Sequence, residues 1–205
     1  SITIPSSVTK IEEYAFYDNK LTSINIPDSV TTVETGAFYW NNLQTITIGK
    51  GLIDMKANPF GANRNLVSIT VSNENPMYKS EGNVVYTKDG TTLVVGSKQI
   101  SNSIPQTVTK IGKLAFHSCE LTSITIPSSV TIIEEYAFYA NNLTSVFVPS
   151  NVTTIGNYAF ASNKITEGNG QIDNRSANVN LGVDIFKYNG ANGQTTIAPT
   201  FLGDI

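Results

Sequence analysis

His117 and Cys119 have the residue types and the spacing that nucleophilic catalysis would need. A histidine beside a thiol can remove its proton and leave a thiolate that attacks an electrophilic carbon. The chain holds one cysteine and one histidine, so it forms no internal disulfide and no histidine-rich metal site. A Cys–His nucleophile is the first chemical hypothesis that the sequence raises.

Adjacent carboxylates are the second candidate for chemistry. Glu12–Glu13 and Glu134–Glu135 resemble the acid and base pairs of glycosidases, which must face each other over a groove. Neighbouring residues in a turn do not face each other in this way. The chain also lacks the glycine-rich phosphate loops, the serine-hydrolase motif and the zinc-protease motif. We therefore predict that the protein is not an enzyme and binds no metal ion and no cofactor.

Composition excludes two further classes of partner. The chain has 205 residues and a net charge of −3, and 14% of its residues are charged. An acidic balance gives no general attraction to nucleic acid. No apolar run approaches the roughly 20 residues of a membrane-spanning helix. We predict no nucleic-acid partner and no membrane insertion, while the 40% of hydrophobic residues suffices for a folded core.

A repeat of 22 residues organises most of the chain. Its most regular member is a phenylalanine, which stands at Phe16, Phe38, Phe60, Phe116, Phe138 and Phe160. The gap of 56 residues between Phe60 and Phe116 equals two periods (44 residues) plus 12 extra residues. A fixed period of this length indicates a solenoid, in which each coil buries its apolar edge against its neighbours.

The sequence predicts a strand, a second extended segment and a turn in each coil. Residues 21–26 alternate apolar and polar types and are rich in isoleucine, which predicts a strand buried on one face. Pro27 ends that strand because proline has no N–H for the ladder. Residues 30–33 form a second short extended piece, and residues 36–38 turn the chain, either as a plain turn or as a single helical turn.

The position three residues after each phenylalanine carries the buried polar chemistry. It is occupied by Asn19, Asn41, Asn63, Cys119, Asn141 and Asn163. An asparagine that points into a turn can bond the backbone groups that the coil leaves unpaired. We predict that these residues form a ladder along the stack. Cys119 then reads as a small buried thiol in the same place, which favours a structural role over a catalytic one.

These residues resemble the bacterial BspA-like class of leucine-rich repeats, and residues 121–141, LTSITIPSSVTIIEEYAFYAN, follow its pattern closely. The resemblance implies a solenoid with a parallel β-sheet on one face and short extended segments and turns, or single helical turns, on the other. It also implies a β-hairpin insertion within about residues 72–99, in which residues 83–87 and 92–95 flank an Asp-Gly turn. We expect the solenoid over residues 1–164 and a degenerate last repeat with a C-terminal cap over residues 165–205.

The same resemblance implies a secreted or cell-surface bacterial protein, and a non-catalytic module for adhesion or recognition. The partner it implies is a host or matrix protein. A glycan-binding module and a structural spacer between other domains remain alternatives. The family carries no catalytic residues, so none are assigned here.

Aromatic side chains mark the predicted contact surfaces. The candidates on the turn edge are Tyr17, Tyr39, Trp40 and Tyr139, which follow the repeated phenylalanine by one or two positions. If they project outward, they form a stripe suited to protein or sugar; otherwise they pack on one another and shield the joints between coils. Phe147 is the one large apolar candidate on the strand face, which is otherwise small and polar.

Two further expectations concern shape. The 12 extra residues have no place in a regular stack, so we expect the insertion to protrude. The N-terminal coil should expose the apolar residues Ile2, Ile4, Val8 and Ile11. Terminal coils of a solenoid need a polar outer face, so this uncapped end predicts self-association.

Overall fold

The computed structural model describes residues 2–100, 103–173, 179–190 and 195–202. Within these ranges the chain forms short strands and no helix. In chain order the strands are β1 (Lys10–Ile11), β2 (Ser23–Ile26), β3 (Thr32–Val33), β4 (Thr45–Ile48), β5 (Asp54–Met55), β6 (Ser68–Val71), β7 (Tyr78–Glu81), β8 (Val84–Thr87), β9 (Thr92–Val95), β10 (Lys110–Ile111), β11 (Ile132–Ile133), β12 (Val146–Val148), β13 (Thr154–Ile155), β14 (Gly170–Ile172), β15 (Asn180–Leu181) and β16 (Thr200–Phe201).

Each coil contributes its strands to parallel sheets, as the repeat predicts. Strands β2, β4 and β6 pair in register, so that Ile24, Ile46 and Ile69 lie side by side. Strands β12, β14 and β16 form the corresponding sheet near the C-terminus. Alternate residues along β2 are buried and exposed, because successive side chains of a strand point to opposite faces. The alternating sequence therefore places the isoleucines in the core.

The coil that contains Phe138 lacks its predicted first strand. Leu121 and Ile126 are buried and Ile124 is half-buried, yet residues 122–127 are not a strand. The alternation of apolar residues thus fixes which side chains face the core, but it does not by itself produce a hydrogen-bonded ladder. A ladder also requires a neighbouring strand in register.

The segment around each phenylalanine is a turn, and the alternative of a single helical turn is wrong for the described residues. Except at Asn58, the residues two before and two after the phenylalanine take the left-handed conformation, as at Tyr136 and Ala140, where φ is 57° at both. Backbone hydrogen bonds join these turns to the next coil; the Phe116 amide donates to the carbonyl of Ala137 at 2.7 Å. Within the turn only bonds over three residues remain, such as that from the Tyr139 amide to the Tyr136 carbonyl at 3.2 Å, and the amides between them donate to the next coil.

The repeated phenylalanines form stacked columns inside the solenoid. Phe116, Phe138 and Phe160 stack with ring centroids 5.3 and 5.1 Å apart, and Phe186 extends the column at 5.6 Å from Phe160. A second column contains Phe16, Phe38 and Phe60. All of these rings are fully buried except Phe16, which is partly buried. The last, degenerate coil therefore continues the same packing, although parts of the predicted cap lie outside the described residues.

The insertion contains the predicted hairpin and one additional strand. Strands β8 and β9 pair antiparallel around the Asp-Gly turn, which confirms the hairpin, and β7 pairs antiparallel with β8. The expectation that the insertion only protrudes is wrong. Strand β9 pairs in parallel with β10, so that Leu93 lies beside Ile111 and takes the place of a coil strand.

The insertion divides the apolar interior into two cores. Val85 and Val95 pack in the N-terminal core, whereas Val84 and Leu93 pack in the C-terminal core. This follows from the alternation of side chains along β8 and β9. The turns join the two halves directly, because the Asn58 side chain donates to the carbonyl of Leu114 at 3.0 Å.

The N-terminal coil is better buried than the sequence predicts. Ile4 and Ile11 are 7% and 3% exposed, so the expectation that they face solvent is wrong. Both belong to the N-terminal core, where Val8 is partly buried against them. Ile2 is exposed, as expected.

Candidate functional site

The asparagine ladder is the most regular polar feature of the interior. Asn141 is buried, and its Nδ2 donates to the carbonyls of Phe116 at 2.8 Å and Phe138 at 2.9 Å. Its Oδ1 accepts from the amide of Leu121 at 3.0 Å. Each amide side chain thus bonds its own coil and the preceding one. The same pattern is found at Asn41, Asn63 and Asn163.

Asn189 belongs to this ladder and was not among the sequence candidates. Its Nδ2 donates to the carbonyl of Phe160 at 3.0 Å, and its Oδ1 accepts from the amide of Ile165 at 3.1 Å. The signal was present, because Asn189 follows Phe186 by three residues. Asn19 was predicted to belong to the ladder, and this prediction is wrong. Its side chain is exposed and donates to the carbonyl of Tyr17 in its own turn.

Cys119 and His117 do not form a nucleophilic pair. The Cys119 thiol contacts the carbonyls of Gly96 at 3.7 Å and His117 at 3.8 Å, in the place of the ladder asparagine. Burial raises the pKa of this thiol to about 12. Burial also lowers the pKa of His117 to about 4. Both groups are therefore neutral near pH 7, and the thiolate that nucleophilic attack requires is not formed.

The acidic pairs are held in ion pairs on the surface. Glu134 and Glu135 lie 2.7 Å from the ammonium groups of Lys110 and Lys113, respectively. Glu12 lies 2.9 Å from Lys10. These carboxylates line no shared cleft in which one could act as acid and the other as base. In the part of the chain that the structure describes, no three histidine, cysteine or acidic side chains come together as a metal site.

Two of the aromatic candidates on the turn edge, Tyr39 and Tyr139, form a stack with His117. Tyr39 stacks on His117 at 5.5 Å, and His117 stacks on Tyr139 at 5.4 Å. Tyr39 is 8% exposed, so of the two alternatives it follows the second: it packs on its neighbour and shields the joint between coils, and it does not project outward as a contact residue. The reason lies in the next coil, where Gly61 has no side chain and leaves room for the Tyr39 ring.

The remaining aromatic candidates are exposed. Tyr17 and Trp40 are 45% and 49% exposed on the turn edge. Tyr14, two residues before the repeated phenylalanine, is exposed as well and contacts Tyr17 edge to face, with ring centroids 5.7 Å apart. Phe147 is also exposed, but it lies on strand β12, opposite Gln171, and not on the turn edge. The predicted stripe is therefore divided into a buried stack and an exposed group.

Trp40 lies in an open groove of about 450 Å³ on the turn edge. Its neighbour Asn41 is fixed in the ladder by bonds to its own coil and to the preceding one, which holds the backbone at Trp40. The guanidinium of Arg64 lies over the indole, 5.9 Å from the ring centroid. Such a cation–π contact restrains both side chains. The other polar residues of the groove include Asp18, Lys20, Asn42, Asn65 and Glu120.

The stacked coils, the phenylalanine columns and the asparagine ladder define a leucine-rich repeat solenoid. The chain belongs to the family described as the BspA-type leucine-rich repeat region, whose model matches six copies over residues 1–87 and 95–190. The resemblance inferred from the repeat is thereby confirmed. No curated protein sequence matches the chain.

Solved bacterial structures share this fold. A leucine-rich cell surface protein from Faecalibacterium prausnitzii A2-165 superposes with a TM-score of 0.70 at 26% identity, over 98% of this chain and 59% of that one. A leucine-rich repeat protein from Eubacterium ventriosum ATCC 27560 gives 0.62 at 21% identity, over 84% of this chain and 66% of that one. The pneumococcal vaccine antigen PcpA gives 0.55 at 18% identity, over 96% of this chain and 67% of that one. The chain spans less than two thirds of the length of the first two. Among the described residues there is no helix of the length and hydrophobicity needed to cross a membrane.

Proposed function

We propose that the chain is a non-catalytic recognition module of a bacterial cell-surface protein, and that it binds a host or matrix protein through its turn edge. The family and the printed name of the Faecalibacterium prausnitzii relative support the surface location. The neutral Cys–His pair and the ion-paired carboxylates favour binding over catalysis.

The exposed group at the turn edge is the observation that carries this proposal. Tyr14, Tyr17, Trp40 and Arg64 are all exposed there. Tryptophan, tyrosine and arginine are the residue types that contribute most of the binding energy in protein interfaces. Exposed apolar side chains that lie together in a patch mark interaction sites, whereas single ones do not.

The strand face offers a weaker surface for a protein partner. Its outward residues on β4 and β6 are small and polar, such as Thr45, Thr47 and Thr70. They can form hydrogen bonds but bury little apolar area. Phe147 is an isolated exposed aromatic side chain on this face, and single exposed apolar residues are common on any protein.

Binding to immobilised host matrix and plasma proteins tests the proposal. The double variant Tyr17→Ala with Trp40→Ala should weaken binding to any recognised protein by at least about tenfold, because hot-spot truncations cost 2 kcal/mol or more. The control variant Phe147→Ala removes an equally exposed aromatic ring from the other face and should bind like the wild type. Binding that is lost only in the control would place the contact on the strand face and contradict the proposal. A chain that binds no protein of the panel would instead support the spacer.

A further inference from the structure

We propose that the groove at Trp40 is a binding site for a neutral hexopyranose, a single sugar unit with one apolar ring face. This inference deepens the proposed function, since the sugar would belong to the surface of the recognised partner. It is argued from the ring, the charges and the uncommitted polar groups of the groove.

The first step is the aromatic platform. About half of the Trp40 side chain is exposed although Arg64 lies over its ring. Aromatic rings bury a large area against flat apolar partners and keep a polar tip for hydrogen bonding. A pyranose presents such a flat face of C–H groups. In the other coils the equivalent position is mostly small, as at Ala62, Ser118 and Ala140.

The second step is the charge of the groove. Of the lining residues, Asp18 and Glu120 are negative and Lys20 and Arg64 are positive, and Glu120 also lies 3.5 Å from the ammonium group of Lys98. Both signs are mixed along the groove, so it has no strong field of one sign to attract an anion or a cation. A neutral ligand with several hydroxyl groups fits this lining better than a phosphate, a sulfated sugar or an ammonium group.

The third step is the hydrogen-bonding capacity that the fold leaves free. The side-chain amides of Asn42 and Asn65 lie in the groove and have no hydrogen-bond partner within the described part of the chain. Each amide offers donors and an acceptor, which matches the hydroxyl groups of a sugar. The amide of Asn41 beside them is fully used in the ladder. Small-ligand sites commonly combine an apolar wall with a few such convergent polar groups.

The volume agrees with this assignment. About 450 Å³ of open groove lies within the usual range of small-ligand sites, and it holds one sugar unit with its neighbours in solvent. The ligand is therefore a terminal or side-branch sugar rather than a long buried chain.

Trp40 makes the test direct, because it is the only tryptophan of the chain. Its fluorescence can be titrated with glucose, galactose, mannose and N-acetylglucosamine, with sorbitol as the matched control. Sorbitol carries similar hydroxyl groups but has no pyranose face. At least one hexose should change the emission with a Kd of about 1 to 10 mM, and sorbitol should not.

Two variants keep the fluorophore and remove its neighbours. Asn65→Ala and Arg64→Ala should each weaken hexose binding about tenfold, whereas Thr144→Ala, outside this groove, should leave it unchanged. A response to sorbitol equal to that of every hexose, or no response at about 100 mM, would overturn the inference. If hexoses fail while Trp40→Ala still abolishes binding to a host protein, the groove contacts polypeptide and the proposed function stands. If hexoses bind and no protein does, the sugar site stands without the protein partner.

Discussion

At the residue scale, the ladder shows why one side chain type recurs. An asparagine supplies a donor and an acceptor on one short side chain, so it can bond two coils at once. At Asn141 these bonds reach Phe116, Phe138 and Leu121. Aspartate would supply acceptors only, and serine would be too short to reach all three backbone groups. The cost of losing such a residue follows from the groups it would leave unpaired.

Replacing Asn141 by alanine should therefore destabilise the protein strongly. The change leaves the Phe116 carbonyl and the Leu121 amide without their partner in a buried site, whereas the Phe138 carbonyl keeps its bond from Asn163. Each unpaired group costs about 1 to 3 kcal/mol. We expect a loss of at least about 2 kcal/mol in the free energy of unfolding, measured in urea. Asn19→Ala is the matched control, since Asn19 is exposed, and it should cost less than about 0.5 kcal/mol. Equal losses at both positions would contradict the ladder.

The buried imidazole predicts a dependence of stability on pH. Burial lowers the pKa of His117 from 6.5 to about 4, so between these values the unfolded chain binds a proton that the folded chain does not. Stability should fall as the pH falls from about 6.5 to about 4, by about 3 kcal/mol in all. Tyr39 stacks on the ring and Cys119 lies two residues away, and both stay neutral in this range because burial raises their pKa values.

The measurement is the difference between the wild type and His117→Phe, which keeps a ring in the stack and does not titrate. Carboxylates titrate in the same pH range in both proteins, so their contribution to the difference in stability cancels. The wild type should lose stability relative to the variant on acidification. Parallel curves between pH 7 and pH 4 would show that His117 is protonated in the folded protein.

At the scale of elements, the joint between the two halves depends on a missing side chain. The halves meet where Tyr39 crosses the coil of Gly61 to stack on His117. A methyl group added at Gly61 would lie 2.8 Å from Cε1 of Tyr39, which is closer than real Cβ contacts. The absence of a side chain thus matters as much for this joint as the stacked rings do.

Gly61→Ala should destabilise the protein by about 1 to 3 kcal/mol, the usual cost of overpacking a buried site. The same change made together with Tyr39→Ala should cost far less, because the crossing ring is gone. A double-mutant cycle in urea melts isolates this coupling. If Gly61→Ala costs the same in both backgrounds, the Tyr39 contact does not explain the glycine.

At the scale of the whole molecule, the solenoid should behave as a linear array of coils. Each coil contacts only its neighbours, so stability is approximately a sum of coil and interface contributions. Phe138 stacks on Phe116 and Phe160, whereas Phe16 stacks on Phe38 alone. The position of a coil in the array therefore decides what its phenylalanine contributes.

Phe138→Ala should cost about 3 to 5 kcal/mol of unfolding free energy, as expected for a fully buried aromatic side chain. Phe16→Ala should cost clearly less, because its ring is partly buried and has one stacking neighbour. Denaturant melts of both variants provide the comparison. Similar losses would argue against nearest-neighbour behaviour.

The sequence predicted the periodic features of this protein well. The 22-residue spacing of Phe16, Phe38 and Phe60 predicted that equivalent side chains stack, and local alternation predicted which isoleucines are buried. Short-range signals such as the Asp-Gly turn also predicted the hairpin of β8 and β9. These features depend on local backbone geometry and on a fixed repeat length, and both can be derived from the order of residues in the chain.

Only the tertiary structure shows where the protein departs from its 22-residue repeat. The sequence does not show that β9 takes the place of a coil strand, that Tyr39 is buried over Gly61, or that Arg64 reaches the ring of Trp40. Each of these contacts joins residues of different coils, and their distances depend on how the coils are stacked and interrupted. Repetition in the chain therefore determined the solenoid and its ladder, whereas packing between coils determined which aromatic side chains remain free to meet a partner.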